Sequence, residues 1–149
     1  MPDTNAVKHA SFPPGSEHDP FTMQLLGWHL ISLDKEAGVI RVGYESQPNF
    51  RNPSGVIQGG ILAAMIDDTF GPLIILSSDG CNSMLTLDLN VSYLAPGKPG
   101  HFECEARIVR KGRKIGFLEA ELFGGDGALV ARSTTTCLIV PTLPTAESG

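Results

Sequence analysis

The residues with the clearest chemical potential lie in one short stretch, 51–68 (RNPSGVIQGGILAAMIDD). Gly59 and Gly60 open an apolar segment in which isoleucine, leucine and methionine recur at helical spacing. The first amides of a helix have no partner inside it and lie at the positive end of its dipole, so they favour a developing negative charge. The two glycines can therefore form an oxyanion site, or they can serve only to pack the helix closely against a sheet.

Two adjacent carboxylates, Asp67 and Asp68, lie further along the same apolar segment. A charge on such a helix is costly unless it is paired, exposed or used in chemistry. Asp67 has small neighbours one turn away on either side, which leaves space beside its carboxylate, and the same is largely true of Asp68. The pattern does not choose between them, and either can also face solvent at the rim of the helix.

Several other kinds of site are not indicated. The sequence has no G-x-S-x-G, H-E-x-x-H, P-loop or G-x-G-x-x-G motif. Its three cysteines include no C-x-x-C pair, and its four histidines lack the spacing of metal ligands. We therefore expect neither a metal site nor a cofactor.

Length and charge limit the remaining classes. A chain of 149 residues, 42% of them hydrophobic, is expected to form one domain at 19–140, with flexible ends at 1–18 and 141–149. A net charge of −5 without a long basic run argues against binding to nucleic acid or to an anionic membrane. The sequence shows neither a signal peptide nor an apolar run of about 20 residues, so a cytoplasmic protein is predicted.

Periodicity predicts two strands, one long helix and four more strands. The strands are expected at 28–34, 39–44, 85–93, 101–110, 115–123 and 128–140. The long helix is expected to run from Gly59 to about Ser77, with a kink or an end near Pro72. A short helix is also expected from Asp19 towards Trp28. Tight turns make consecutive strands antiparallel, and a single helix must cover one face of the sheet, which is an α+β architecture.

The strand at 85–93 alternates most clearly. It is expected to point one set of side chains towards one face of the sheet: Leu85, Leu87, Leu89, Val91 and Tyr93. The other face is expected to carry the polar set: Thr86, Asp88, Asn90 and Ser92.

Asn52, the turn 58–60 and Asp67 resemble the N-x5-HGG-x6-D signature of the phenylacetyl-CoA (PaaI-like) thioesterases. The strand at 86–96 (TLDLNVSYLAP) looks like the strand that follows in that family, and the resemblance covers about 20–140. It implies a hotdog fold, in which an antiparallel sheet of five to six strands wraps around one long central helix. It also implies hydrolysis of an acyl-CoA thioester to a carboxylic acid and free coenzyme A, without a metal or a redox cofactor.

The resemblance also implies roles for individual residues. Asp67 matches the carboxylate that acts as general base on water, or as nucleophile, and desolvation in a cleft is expected to keep it basic. Gly59 matches the residue whose amide polarises the thioester carbonyl. Gly60, the next residue, is expected to contact the substrate. Asn52 matches a side chain that holds the carbonyl or the water. Thr86 matches a hydroxyl on the partner subunit's strand that orients the carboxylate, which implies a site shared across a dimer.

Gln58 stands where the family commonly has histidine. Glutamine donates and accepts hydrogen bonds but does not titrate, so it retains a positioning role and loses proton transfer. The substitution bears on rate and on reaction type more than on the fold.

A basic turn provides a second candidate contact with substrate. Four of the eleven basic residues surround one glycine between two predicted strands, in the order Arg110, Lys111, Gly112, Arg113 and Lys114. The phosphates of coenzyme A need such donors, and the turn backbone can line the pantetheine arm, as this region does in the proteins it resembles. Alternatively, the charges keep a hairpin tip soluble.

Two other functions are alternatives to hydrolysis. Enoyl-CoA hydratases of the same fold use a D-x-N-P-x-H segment, but Phe50 and Gly55 stand at the aspartate and histidine positions here. A non-catalytic acyl-CoA-binding or sensing domain is consistent with Gln58, although the residues before Asp19 are too few and too little basic for a DNA-binding segment. An open strand edge predicts a homodimer at least, with a homotetramer as the larger assembly.

Overall fold

The computed structural model describes residues 21–142. They form a short helix α1 (Phe21–Leu26), strands β1 (His29–Asp34) and β2 (Val39–Glu45), a 3-10 turn (Pro48–Phe50), the long helix α2 (Gly59–Ser77), and strands β3 (Asn82–Tyr93), β4 (His101–Lys111), β5 (Ile115–Gly124) and β6 (Leu129–Pro141). The predicted order of two strands, one long helix and four strands is confirmed.

The six strands form one sheet in the order β1-β2-β4-β5-β6-β3, and every neighbouring pair is antiparallel. The strand β3 pairs with β6, which is last in the chain, so the two edges of the sheet are β3, with twelve residues, and β1, with six. The helix α2 connects β2 to β3 and packs on one face. The α+β architecture is therefore confirmed, with six strands around one long helix.

One side of α2 forms the centre of the core. Its buried apolar residues recur every three or four positions: Leu62, Met65, Ile66, Phe70, Leu73 and Ile74. They meet the inward side chains of the strands, which include Ile40, Val42, Phe102, Ala106, Leu118 and Leu122. Within this apolar core Thr69 donates its hydroxyl to the Met65 carbonyl at 2.9 Å, so the Tyr44 hydroxyl is the donor in its 2.7 Å bond to Thr69. The hydroxyls of Tyr44 and Thr69 are thus paired with each other inside the core.

The helix continues through Pro72 to Ser77, so the predicted extent to about Ser77 is confirmed. Of the two alternatives predicted near Pro72, a kink or an end, the end does not occur. Proline has no amide hydrogen, and the carbonyl of Asp68 therefore lacks its usual helical partner. By length and composition α2 could cross a membrane. Its apolar residues are instead accounted for by the sheet on which they pack.

The strand β3 departs from regular pairing at Leu87. Thr86 pairs with Cys137 and Asp88 pairs with Thr136, so Leu87 is an extra residue that forms a β-bulge. Cys137 is buried on the side of the sheet that faces α2, and Thr86, directly opposite, lies on the same side.

The bulge reverses the faces of the first half of the strand. Beyond it, Leu89 and Val91 pack against the core as the alternation predicts. Before it, Met84 packs against the core, whereas Leu85 lies on the outer face and is 58% exposed. The predicted facing of Leu85 and Thr86 is therefore wrong, because one extra residue inverts a pattern whose period is two.

The ends of the described region refine two predicted boundaries. The strand β6 includes Pro141, and Thr142 donates hydrogen bonds to the carbonyls of Gly80 and Cys81, so the predicted tail begins inside the sheet. The helix α1 lies within the predicted short helix, but its predicted start at Asp19 is outside the described residues. The N-terminal arm and residues 143–149 are outside them as well.

Replacing Phe70, which is fully buried, tests the packing of α2. Phe70→Ala leaves a cavity under the helix and is expected to lower the free energy of unfolding by about 3–5 kcal/mol, measured by urea denaturation. Phe117 on β5 is 45% exposed, and Phe117→Ala is the matched control with an expected loss under about 1 kcal/mol. Equal losses in the two variants would contradict this packing.

Candidate active site

The structure brings Asp67 and Thr86 together. The Thr86 hydroxyl donates a hydrogen bond to Asp67 Oδ1 at 2.9 Å, and both side chains are exposed. Asp67 lies on α2 and Thr86 on the edge strand β3, where the bulge at Leu87 turns Thr86 towards the helix. The second oxygen of Asp67 makes no hydrogen bond within residues 21–142, so it is available to a water molecule or a substrate.

The structure bears differently on two implied properties of this pair. Thr86 is expected to approach from a partner subunit, but its bond to Asp67 forms within one chain, so that expectation is wrong. Asp67 is expected to be desolvated in a cleft, and one chain alone leaves it exposed, so its desolvation stays a prediction. Desolvation of this carboxylate must therefore come from the substrate or from a second copy of the chain.

Asp68 has a different environment, about 100° further round α2. The residue is half-buried, and its Oδ2 atom is buried without a hydrogen-bond partner in the described part of the chain. Burial, and then repulsion by Asp67, raise the pKa of Asp68 to about 6. The surroundings thus distinguish two carboxylates that the sequence pattern does not. Asp67 is exposed and oriented by Thr86, whereas Asp68 is half-buried and has an oxygen without a described partner.

Gly59 and Gly60 are the first two residues of α2, as predicted. Gln58 occupies the cap position and is exposed, and its side chain makes no capping hydrogen bond to the first turn. A Cβ atom on Gly59 would lie 3.2 Å from Tyr93 Cζ, and the Tyr93 hydroxyl donates to the Gly59 carbonyl at 2.7 Å. Gly59 thus packs closely against Tyr93, and a side chain there would have to displace the tyrosine ring by a few tenths of an ångström, so the two interpretations of this glycine are compatible.

Asn52 lies in the loop that leads into the helix. Its Oδ1 atom accepts the backbone amide hydrogens of Ser54 at 2.9 Å and Val56 at 3.4 Å. The backbone amide of Asn52 donates to the Val56 carbonyl at 2.7 Å. These bonds fix the side chain of Asn52 and occupy its oxygen. What it can offer to a ligand is the side-chain NH2 group, which suits a carbonyl or an oxyanion.

The predicted residues form two separate groups within one chain. Asn52, Gln58, Gly59 and Gly60 lie at the start of α2, and Asp67 lies eight residues after Gly59 on the same helix. At the rise of an α-helix, eight residues span about 12 Å. The amides and the carboxylate are therefore too far apart to act on one carbonyl carbon from a single chain.

The basic turn lies at the tip of the β4–β5 hairpin. All four of its basic side chains are exposed, and none forms an ion pair with another described residue: Arg110, Lys111, Arg113 and Lys114. The amide of Gly112 closes the turn by donating to the Ile115 carbonyl at 2.8 Å. Pairing places Lys111, Gly116, Cys137 and Thr86 in one row across four strands. Three strand spacings put Lys111 about 14 Å from Thr86, on the same face of the sheet as the carboxylate of Asp67.

Tyr93 bonds to Gly59 and Asp88 bonds to β6 beside the bulge, but motif spacing singles out neither of them. Tyr93 appears in the sequence only as the last member of an alternating strand, and Asp88 only as one of its polar members. Their contacts with α2 and β6 join residues that are 34 and 48 positions apart. Within residues 21–142 no group of three or more histidine, cysteine, aspartate or glutamate side chains could hold a metal ion.

Comparison with known proteins gives consistent matches. A family model described as the thioesterase superfamily matches residues 54–131. A phenylacetic acid degradation-related protein from Ralstonia eutropha JMP134 has a solved structure with a TM-score of 0.75 and 36% identity, over 85% of this chain and 96% of that one. The medium/long-chain acyl-CoA thioesterase YigI from Escherichia coli K12 is 26% identical in an alignment of 137 positions, which covers 82% of this chain and 86% of YigI.

A further solved structure, smu.793 from Streptococcus mutans UA159 bound to acetyl CoA, has a TM-score of 0.69 and 23% identity, over 78% of this chain and 91% of that one. At that identity the likeness concerns the fold. Together the matches confirm the predicted hotdog fold and the resemblance to PaaI-like thioesterases.

Asp68 is expected to make stability depend on pH. Its pKa in the folded chain is about 6 against an ordinary value of 3.8, so between these values the folded state holds a proton that the unfolded chain has released. Stability therefore falls as the pH rises through this window, by about 3 kcal/mol at most. Urea unfolding of Asp68→Asn between pH 4 and pH 7 is expected to lack this fall. Glu36→Gln, which removes one charge from an exposed turn, is expected to keep it, and parallel slopes in wild type and Asp68→Asn would refute the assignment.

Proposed function

The chain belongs to the thioesterase superfamily, and on that premise we propose that it hydrolyses acyl-CoA thioesters to a carboxylic acid and free coenzyme A. The observation that carries the proposal is the hydrogen bond from Thr86 to Asp67, which orients one exposed carboxylate on α2. The substrate class draws support from YigI, which is named for medium/long-chain acyl-CoA, and from smu.793, which was solved bound to acetyl CoA.

In the proposed reaction Asp67 acts as general base. Its free oxygen takes a proton from water while the water oxygen bonds to the thioester carbonyl carbon. The tetrahedral intermediate then loses its C–S bond, and the proton passes from Asp67 to the sulfur of coenzyme A, which restores the carboxylate. Direct attack by Asp67 gives an anhydride that water opens to the same products. The bond from Thr86 fits both routes, because it holds one oxygen and leaves the other for a water molecule or for the carbonyl carbon.

The oxyanion of the intermediate needs donors that Asp67 cannot provide. The amide of Gly59 at the start of α2 and the side-chain NH2 group of Asn52 are suited to this role. Gln58 contributes hydrogen bonds from its exposed position without exchanging protons. Gly60 leaves open space beside the amides, since a Cβ atom there would meet nothing within 4 Å.

We propose that the complete site lies between two copies of the chain. The distance of about 12 Å along α2 separates Gly59 from Asp67 in one chain. Among residues 21–142 no strand pairs with the outer edge of β3, a strand of twelve residues, and long exposed edges are normally covered. Two-fold pairing through β3 gives a homodimer in which Asp67 and Thr86 come from one copy and Asn52 and Gly59 from the other. A homotetramer is the larger assembly that remains compatible with this arrangement.

The basic hairpin tip is proposed to bind the phosphates of coenzyme A. Its four cations are free of ion pairs with the rest of the described chain, although the protein as a whole carries a net charge of −5. The tip lies about 14 Å from Thr86 across the sheet, a distance that the pantetheine arm of coenzyme A can span. Hydrolysis by this route uses no metal or other cofactor, and a cytoplasmic location fits the substrate.

A non-catalytic acyl-CoA-binding domain is the second candidate, favoured by Gln58. A hydratase is not favoured, because the positions of its two catalytic groups are occupied by Phe50, which is buried, and by Gly55, in a turn with φ +83°. Turnover distinguishes hydrolysis from binding.

Replacing Asp67 tests the proposed base. Thiol release from aryl-, short- and medium-chain acyl-CoAs is expected for wild type and to fall about 100-fold or more in Asp67→Asn. Glu36→Gln removes the same charge from an exposed turn and is expected to retain wild-type rates. Binding without turnover across the panel would favour the sensing domain, and loss of turnover in Asp68→Asn with full activity in Asp67→Asn would refute the role of Asp67.

Mixing two inactive variants tests the shared site. Asp67→Asn and Asn52→Ala are each expected to lose activity alone. Random reassociation makes half of the dimers mixed, and each mixed dimer has one site with both native groups, so about a quarter of wild-type activity is expected to return. The measurement is thiol release after joint unfolding and refolding, with each variant refolded alone as control. No recovery in verified mixed dimers would show that the site is not shared in this way.

A further inference from the structure

The contact between Thr86 and Asp67 depends on the bulge at Leu87. Regular alternation continued backwards from Leu89 would point Leu87 and Leu85 towards α2 and turn Thr86 to the outer face. The apolar pattern favours that arrangement, because Leu85 would be buried and not 58% exposed as it is. Some other interaction must therefore hold the bulged register.

Asp88 makes the contacts that can hold it. Its carbonyl accepts the Thr135 hydroxyl at 2.7 Å, and its carboxylate Oδ1 accepts the amide hydrogen of Thr136 at 3.1 Å. Thr135 and Thr136 are consecutive residues of β6, and Thr136 is the residue paired with Asp88 immediately after the bulge. Thr135 is only 3% exposed, so its hydroxyl needs a partner inside the protein.

These two bonds connect Asp88 to β6 through both its backbone and its side chain. A bulge interrupts the backbone ladder and leaves a local group without its regular partner. The carboxylate of Asp88 supplies an acceptor to an amide at that point. In the unbulged register Asp88 would keep its own partner, but the residues before it would move by one position relative to β6.

We propose that Asp88 is a positioning residue, which fixes the bulge at Leu87 and so keeps the Thr86 hydroxyl on Asp67. It does not reach the substrate and acts through Thr86 alone. The proposal rests on the proposed function, in which Asp67 is the base that Thr86 orients. No spacing in the sequence indicates this role, because Asp88 appears there only as a polar residue on the outer face of a strand.

Four variants test the proposal by thiol release from an acyl-CoA. Asp88→Ala removes the carboxylate and is expected to lower kcat about tenfold or more with KM changed less than about twofold. Asp88→Asn keeps an acceptor oxygen and is expected to restore most of kcat. Thr135→Val removes only the hydroxyl on the Asp88 carbonyl and is expected to lower kcat in the same direction. Asp126→Ala is the matched control, since Asp126 likewise accepts a backbone amide, from Ala128 at 3.0 Å, but in the β5–β6 turn.

The decisive measurement combines two changes. In a Thr86→Val background, adding Asp88→Ala is expected to change kcat less than about twofold, because the group through which Asp88 acts is already gone. A further tenfold loss would overturn the proposal, as would unchanged kcat in Asp88→Ala alone.

A structural readout separates this proposal from the proposed function. In NMR spectra of wild type, the Thr86 side chain is expected to show contacts with α2, and the Thr136 amide is expected to exchange slowly with solvent. Asp88→Ala is expected to lose those contacts and to speed that exchange, whereas Asp126→Ala is expected to retain both. If wild type hydrolyses no acyl-CoA, the proposed function fails, but these spectra still decide the role of Asp88: retained contacts with unchanged exchange in Asp88→Ala overturn it.

Discussion

The whole structure depends on one helix packing against the inner face of a six-stranded sheet. Phe70 and its neighbours are buried between the helix α2 and the sheet, and their burial fixes both the height of the helix above the sheet and its rotation. Once that rotation is fixed, Asp67 faces the edge strand β3 and Asp68 lies in a more enclosed position. The different surroundings of two adjacent carboxylates are therefore a consequence of core packing, not of any local feature of either aspartate.

The elements of the fold were predictable because their signals are local. The recurrence of apolar residues gives α2 from Gly59 to Ser77. Turn residues give the bounds of the strands to within one residue, except that β3 begins at Asn82, three residues before its predicted start. The end expected near Pro72 did not occur, since tertiary packing on both sides of the proline outweighs one missing hydrogen bond. The order of strands in the sheet carries no such local signal, and the place of β3 at the edge beside β6 follows only from the three-dimensional arrangement.

The candidate residues of the site could be named from the sequence, but their arrangement could not. The spacing and its family resemblance indicate Asp67, Gly59, Asn52 and Thr86, but only the structure separates them into two groups. The bulge at Leu87 explains why the alternation gives the wrong facing. Leucines at 85, 87 and 89 predict a regular strand, but next to the bulge Asp88 accepts a hydrogen bond from Thr136, which is 48 residues further along the chain. Periodicity within a window of ten residues contains no information about such a contact.

The edge strand β3 is bonded to α2 at two points, from Thr86 to Asp67 and from Tyr93 to the Gly59 carbonyl. Both halves of the site in each chain are thus attached to the strand through which two copies are proposed to pair. Because side chains repeat every two residues, a dimer displaced by two residues keeps its backbone bonds and its faces, yet moves one half-site about 7 Å from the other. A dimer of correct mass and stability would then be inert, so catalytic activity measures the register of the assembly and not merely its formation.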